Sequence, residues 1–380
     1  MRPERLSVVI NDRAARAPLT GVGHYVRQLL RWLPEAAPEH SYHALYTRLG
    51  PRPRERRRPT VGDNRPRRPP WVVRRILQGA YGLTLRTCMR AWRADVYHEP
   101  NHIAIRWGGP TVTTIHDLSV LRHPEWHPAD RVAWYEREFR RSLAQTRLFI
   151  CPSEFTKNEL MALGGIPAER IRVIPEAPRE HFGRPSPEAV TALRLRFDLP
   201  ETFLLYVGTI EPRKNLARLI EAYARLPARL RSHCPLVIAG AHGWGQTTLA
   251  ERAGKLGVQH QIRRVGYVPD EELPALYAAA SALVWPSWYE GFGLPPLECM
   301  ACGTPVLVSD SGALPEVVGE AGIRLDPANV AAWTAAMQNL LEDTILRRHL
   351  AEAGRTRAAR FSWIGCAQAH ARVYEACADA

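Results

Sequence analysis

The stretch S-A-L-V-W-P-S-W-Y-E-G-F-G-L-P-P-L-E-C-M-A-C-G-T-P-V-L-V-S, Ser281 to Ser309, contains a whole folding unit. Ala282 to Trp285 has the length and apolar character of a buried strand. Pro286 to Gly293 reads as a loop carrying one acid, Glu290, among aromatics and two glycines. Pro295 and Pro296 suit the first turn of a helix, where a missing N–H costs little. Glu298 is expected in that same turn, and Gly303 ends the helix before a second buried strand, Pro305 to Ser309. Such a unit gathers free backbone N–H groups and a positive dipole end at one spot, flanked here by two acids. Anions suit the amides and hydroxyl-rich groups suit the carboxylates; a sugar joined to a nucleotide diphosphate offers both.

Glu290 and Glu298, with the intervening G-F-G-L-P-P-L and the helix-ending C-G-T-P-V, resemble the E-x7-E signature of retaining GT-B glycosyltransferases, most closely glycosyltransferase family 4. The resemblance covers nearly the whole chain. It implies an α/β fold of two Rossmann-like parallel-sheet domains facing a central cleft, and hexosyl transfer from a nucleotide diphosphate sugar. Glu290 would hold donor-sugar hydroxyls beside the amides of Gly291, Phe292, Gly293 and Leu294, while Glu298 would accept the ribose hydroxyls.

At 380 residues the chain fits two domains of ordinary size. Seven scattered cysteines argue against a disulfide framework and for a reducing compartment. Cys299 and Cys302 form a C-x-x-C with no partner pair at zinc spacing, which assigns them to helix–strand packing. No apolar run approaches the ~20 residues of a membrane span, and the N-terminus lacks a signal-peptide core, so a cytoplasmic protein is expected. The net charge of +13 points to an anionic partner without choosing among nucleic acid, lipid and phosphorylated substrate.

Leu6 to Ile10 is a first strand, followed by T-G-V-G-H-Y-V and a helix from about Tyr25 to Trp32. Gly21 and Gly23 permit close backbone approach to a ligand, but Val26 stands where a dinucleotide fingerprint wants its third glycine. The resemblance places this loop against the donor diphosphate. Arg48 to Arg75 is so dense in proline and arginine that a loop or lid is expected, and Trp71 to Trp92 reads as a basic amphipathic helix. Arg48 to Trp92 is thus a candidate for an anionic membrane surface, with a solvated arginine-rich face as the plain alternative.

Val96 to His98 and Thr111 to Ile115 are strands whose ends carry His98, Asn101, His116 and Asp117. Ligands sit beyond the carboxyl ends of parallel strands, so these residues are expected to line a cleft. The resemblance sets His116 near the donor sugar as a catalytic candidate; Asp117 either orients it or holds the acceptor, and His98 and Asn101 are acceptor-side candidates, with loop caps as the plain alternative. Leu148 to Cys151 precedes a helix capped by Ser153, read as structural at the domain junction. Ile171 to Ile174 closes the first domain, residues 1–178. Pro175 to Pro187, broken by four prolines, reads as linker, and the linker and domain start extend to residue 200.

The donor domain, residues 201–361, begins with the strand Phe203 to Val207 and the loop G-T-I-E-P-R-K-N-L. Gly208, Arg213 and Lys214 lie in that loop, and the resemblance sets the basic pair on the donor diphosphate. Leu236 to Ala239 is a further strand, and the resemblance sets the turn G-Y-V-P-D-E-E-L around the nucleobase, with Tyr267 and Val268 as candidate contacts. The resemblance also implies that a final helix, residues 362–380, crosses back onto the first domain.

With no D-x-D triplet in the chain, diphosphate stabilisation is expected without a metal. No cofactor is expected beyond the nucleotide-sugar co-substrate; the A-L-P-E-V-V-G-E-A-G and T-I-H-D-L segments resemble mannosyl- or rhamnosyl-type members of the family, which implies GDP-mannose, with a UDP-sugar the alternative. The acceptor is a glycan, lipid-linked or small molecule. A retaining hydrolase would leave Arg213 and Lys214 without a role. A non-catalytic nucleic-acid binder would place two glutamates near phosphates, and no nucleic-acid partner is expected.

Overall fold

The computed structural model describes residues 5–16, 21–46, 82–241 and 247–379. The Arg48 to Arg75 segment lies outside the described residues; of the expected helix over Trp71 to Trp92, residues 82–91 are described and are helical.

Among the described residues twelve strands form two six-stranded sheets. In the first are β1 (Ser7–Ile10), β2 (Ser41–Ala44), β3 (Val96–Glu99), β4 (Thr111–Thr114), β5 (Leu148–Cys151) and β6 (Ile171–Val173), in the order β2-β1-β3-β4-β5-β6. In the second are β7 (Leu204–Val207), β8 (Leu236–Ala239), β9 (Ile262–Gly266), β10 (Ala282–Trp285), β11 (Val306–Ser309) and β12 (Ile323–Leu325), in the order β12-β11-β10-β7-β8-β9. All neighbouring strands are parallel. Strands covered on both faces read as unbroken apolar runs, and LLYV, LVIA, ALVW and VLVS are fully buried. Both sheets reverse their winding once, at β1/β3 and at β7/β10, and a ligand crevice opens beyond the strand ends at such points.

Six helices position the site: α1 (Gly21–Ala36), α2 (Glu154–Gly164), α3 (Leu216–Ala224), α4 (Leu273–Ala279), α5 (Leu294–Ala301) and α6 (Trp363–Asp379). Helix α1 starts four residues earlier than expected, so Gly21 and Gly23 lie in its first turn. Helix α5 is N-capped by Gly293, which puts Pro295 and Pro296 in the first turn and Glu298 in the second, one turn later than the sequence suggested.

Helix α6 returns from the second sheet to the first. Trp363, Cys366, Ala367, Val373, Tyr374 and Cys377 share one buried cluster with Val8, Ile10, Tyr25 and Leu29. A chain of polar groups runs through this packing. Tyr374 Oη contacts His98 Nδ1 at 2.9 Å, and His98 Nε2 contacts Thr114 Oγ1 at 2.8 Å. Thr114 Oγ1 meets Tyr25 Oη at 2.9 Å, and Tyr25 Oη meets His370 Nε2 at 2.6 Å. His370 Nδ1 ends the chain on the Cys366 carbonyl at 2.8 Å. A carbonyl only accepts, so His370 carries its proton on Nδ1, and the direction of every other link follows. Tyr374, His98, Thr114 and Tyr25 each donate to the next group toward His370. That order requires both imidazoles to be neutral. Burial holds His98 well below the usual histidine range and His370 down to about 4.

Both buried rings refuse a proton that the unfolded chain accepts below the ordinary value of 6.5. Stability is therefore expected to fall as pH drops from about 6.5 toward 4, because the unfolded state binds more protons across that window. Tyr374→Phe leaves His98 Nδ1 without its donor and is expected to cost about 1–3 kcal/mol. Urea unfolding of wild type and variant across this pH range measures both effects.

Candidate functional site

The loops after β7 and β10 meet at the switch point of the second sheet. Asn215 ties them together: from a left-handed backbone (φ 57°) its Nδ2 donates to the carbonyls of Pro286 and Pro327, each at 3.0 Å. Asparagine tolerates that conformation better than most residues. The turn before it delivers Arg213 and Lys214 to Glu290. Lys214 Nζ donates to Glu290 Oε1 at 2.6 Å and Arg213 Nη1 to Oε2 at 2.9 Å, with Trp285 Nε1 also on Oε1 at 3.0 Å. Lys214 lies 4.7 Å from the Trp285 ring centre, a cation–π contact. Burial alone would raise the Glu290 carboxyl, but Lys214 and Arg213 hold it down at about 2. Arg213 is further engaged by Glu211 at 2.5 Å and by the Tyr289 carbonyl at 3.0 Å. Burial would likewise raise Asp117, but Arg213, His102 and two Ser119 hydrogen bonds hold it well below the carboxylate range.

Gly291 and Gly293 are required here. A Cβ at Gly291 would lie 1.8 Å from the His116 carbonyl oxygen, and Gly293 caps α5 at φ +116° with no room beside Leu314. The Gly291 carbonyl accepts from Ser153 Oγ at 2.7 Å and Thr156 Oγ1 at 3.1 Å. Ser153 also caps α2, as expected. Glu316 crosses the same junction and accepts the amides of Glu154 and Phe155 at 2.8 and 2.6 Å, satisfying two open donors at the α2 N-terminus. Phe292 is buried with its ring against Phe361, and Leu294 opens α5.

His116 is half-buried with both ring nitrogens engaged: Nδ1 with Glu176 Oε1 at 3.0 Å and Nε2 with the Pro100 carbonyl at 2.9 Å. Burial opposes charge on this ring, but the Glu176 hydrogen bond and charge outweigh it, and His116 titrates above the usual range. It is a fixed double donor, not a free base.

Glu298 is also paired. Arg179 Nε and Nη2 both reach Glu298 Oε1, at 3.0 and 2.9 Å. Arg179 Nη1 contacts Asp270 Oδ2 at 3.1 Å and His24 Nδ1 at 3.3 Å, and His24 Nε2 lies 3.0 Å from the same Asp270 oxygen. Burial raises Glu298 to about 7 against the pull of Arg179.

Two placements correct the sequence reading. His98, expected on the acceptor side, is fully buried under α6, because the crossing helix covers the end of β3. Val268 belongs to the second-domain core, so its side chain is unavailable to a base, whereas Tyr267 is 44% exposed. Glu176 and Arg179 were missed because they sit in the proline-broken stretch read as linker.

Two cavities open beyond the carboxyl ends of the strands, one in each domain. One of about 260 Å³ lies over β7, β8 and β9 and is lined by Ile210, Ile238, Gly240, Arg264 and Gly266. The other, about 860 Å³, lies at the β1/β3 crevice and includes Asn11, Arg13, Glu99, Asn101, Arg106 and Trp134. Burial raises Glu99 to about 7 even though Tyr97, Asn11 and the Asn101 amide hydrogen-bond to it. Cys299 and Cys302 are buried thiols in helix–strand packing, both pushed upward by burial. Among the described residues Glu39, His40 and Glu375 group as potential metal ligands. His40 Nδ1 accepts the Leu6 amide at 3.4 Å, however, so its Nε2 carries the proton toward Glu375 and does not present a lone pair.

Two family models match the chain: "Glycosyltransferase Family 4" over residues 19–177 and "Glycosyl transferases group 1" over residues 194–357. The chain is 35% identical to the O-antigen chain mannosyltransferase B of Escherichia coli, over 95% of this chain and 97% of that protein. It is 34% identical to the Escherichia coli serotype-specific mannosyltransferase WbdA over 68% of this chain and 32% of that protein. In fold it is similar to a sucrose-phosphate synthase from Thermosynechococcus elongatus, with a TM-score of 0.73, 22% identity and coverage of 97% and 98% of the two chains.

Lys214→Met leaves Glu290 buried with one cation fewer and is expected to destabilise by roughly 3 kcal/mol. Adding Glu290→Gln is expected to return part of that loss, because the uncompensated charge is removed. A double-mutant cycle by denaturant unfolding reads the coupling.

Proposed function

We propose a reaction for this chain, which belongs to the group 1, family 4 glycosyltransferases: transfer of a mannosyl unit from GDP-mannose to a glycan acceptor, with retained anomeric configuration and without a metal. The carrying observation is Glu290, buried at the β7/β10 switch point and fixed between Arg213 and Lys214. The similarity to mannosyltransferase B over nearly the full length of both chains supports mannose as the sugar.

In this reading the donor lies across the second-domain crevice. The base enters the cavity beside Gly240 and Gly266, and Tyr267 closes over it. The ribose hydroxyls donate to Glu298. The diphosphate meets the open amides of Gly293 and Leu294 at the α5 N-terminus, where Pro295 and Pro296 carry no N–H, and the Arg213–Lys214 pair, which stabilises the charge gained by the leaving phosphate. The sugar hydroxyls reach Glu290 and the Gly291 to Leu294 backbone.

Retention needs either a protein nucleophile or return on one face. Glu290, held at about 2 by two cations, is a poor nucleophile and a poor proton acceptor. His116 has both nitrogens engaged. These facts favour a front-face path in which the acceptor oxygen attacks as the glycosidic bond breaks and its proton passes to the departing phosphate. The acceptor approaches from the β1/β3 crevice, where Asn101 and Glu99 offer polar groups beside Trp134.

A thermal-shift series with GDP, UDP, ADP and TDP, with and without EDTA, tests the donor. GDP at 100 times its Kd is expected to add about 2.7 kcal/mol, unchanged by EDTA. A response to UDP alone replaces GDP-mannose with a UDP-sugar, and no response to any of them overturns the donor site. Arg213→Ala is expected to lower the turnover of GDP-mannose by about 10²–10³-fold.

A further inference from the structure

We propose that Arg179 is a positioning residue of the donor site: its fork holds Glu298 by one oxygen and so presents the other to the two ribose hydroxyls. This rests on Glu298 being the ribose acceptor.

The geometry argues for a positioning role over mere charge balance. Both contacting nitrogens of Arg179 land on Oε1, and among the described residues every hydrogen bond to the Glu298 side chain is made there. A symmetric fork would engage both oxygens with the guanidinium. This one fixes the carboxylate plane and leaves Oε2 for an incoming donor. Arg179 is itself immobilised. Its guanidinium stacks 4.4 Å from the Phe182 ring centre and its third nitrogen is shared by Asp270 and His24. His24 belongs to the first turn of α1 and Asp270 to the turn before α4, so the holder of Glu298 is anchored in both domains. Only 7% of Arg179 is exposed, so its charge depends on the Glu298 and Asp270 carboxylates that pair it.

The groups facing Glu298 are Arg179 from the linker, Asp270, Glu176, Tyr277 from α4, and Cys299 and Cys302 from its own helix and its end. Arg179 is the one cation among these groups. Without it, burial and the neighbouring acids favour the protonated carboxyl, which offers hydroxyls one acceptor fewer.

The test compares GDP with 2′,3′-dideoxy-GDP by calorimetry on the full chain, in wild type, Arg179→Met and Arg179→Lys, with UDP and its dideoxy analogue in parallel. Wild type is expected to prefer the hydroxylated nucleotide by about tenfold or more, the scale of a hydrogen bond to a charged group. Arg179→Met is expected to bind both forms within about twofold at near-neutral and at alkaline pH, because an ionised carboxylate without the fork no longer presents Oε2; a preference regained at alkaline pH assigns Arg179 to charge alone and overturns the proposal. Arg179→Lys, which keeps the charge without the fork, is expected to lie between them. A wild-type preference that survives intact in Arg179→Met overturns the proposal and leaves Glu298 on the ribose. A wild type without preference removes Glu298 from the ribose, and the proposal falls with it. A pH-independent loss for both nucleotides alike assigns Arg179 to structure alone and also overturns the proposal. Melting temperatures of the variants separate this last outcome from unfolding, and Arg179→Lys supplies the comparison if Arg179→Met does not fold.

Discussion

A carboxylate kept ionised out of water needs a partner against a desolvation cost of several kcal/mol per ion, and a cation is the strongest one. The cleft meets that demand three times, and each time partner and carboxylate come from different segments. Lys214 and Arg213 join the β7 loop to the β10 loop through Glu290. Arg179 joins the linker to α5 through Glu298. His116 joins the β4 loop to the linker through Glu176. The last two pairs share residues 176–179, so the segment between the domains is itself pinned on both sides. Removing any one partner strands a buried charge, which makes the loop geometry depend on the set.

The first-domain core answers the same problem without charge. Under α6, five polar side chains satisfy one another in a single directed chain that ends on a backbone carbonyl, and it works only with neutral imidazoles. Tyr25 separates the two regimes. Its hydroxyl belongs to the neutral chain, while its ring packs edge-on at 4.8 Å against His116, which Glu176 holds toward the charged form. Two histidine chemistries a few ångströms apart therefore rest on whether a carboxylate is within reach.

Much of this was legible in the residues because buried parallel strands announce themselves as short apolar runs, and the strand boundaries moved by a residue or so. The Glu290–Glu298 unit was legible because glycines, prolines and acids at that spacing have few other uses. The remainder failed for identifiable reasons. Whether His98 lines a cleft depends on a helix that begins 265 positions later, at Trp363, and nothing near His98 signals it. Val268 lies at a loop whose alternation shows only once the core is assembled. Proline density correctly marked Pro175 to Pro187 as irregular, but irregular backbone also carries binding groups, and Glu176 and Arg179 stand there. Glu316 left a trace in A-L-P-E-V-V, yet its use as a cap for a helix in the other domain is purely tertiary.

The overall charge of +13 invites the idea that the cleft attracts its anionic donor by field alone. The distribution of charge argues otherwise. Residues 48–75 hold eleven arginines against Glu55 and Asp63, and so carry most of the excess. Around Glu290 and Glu298 the charges are nearly balanced: Arg213 is matched by Glu211 and Glu290, Lys214 also by Glu290, and Arg179 by Glu298 and Asp270, whereas the β1/β3 crevice is lined by Arg13, Arg86, Arg106 and Arg141 against Glu99. In the proposed reading a diphosphate would meet oriented N–H groups and preset cations already neutralised by fixed acids, which would be recognition by geometry. Such a site discriminates by where charge develops during bond cleavage, not by how much negative charge the ligand brings, and it is less sensitive to salt than a solvated arginine tract. The unbalanced positive charge lies in the 48–75 sequence and at the β1/β3 crevice, while the paired carboxylates fix the geometry of the loops around Glu290 and Glu298.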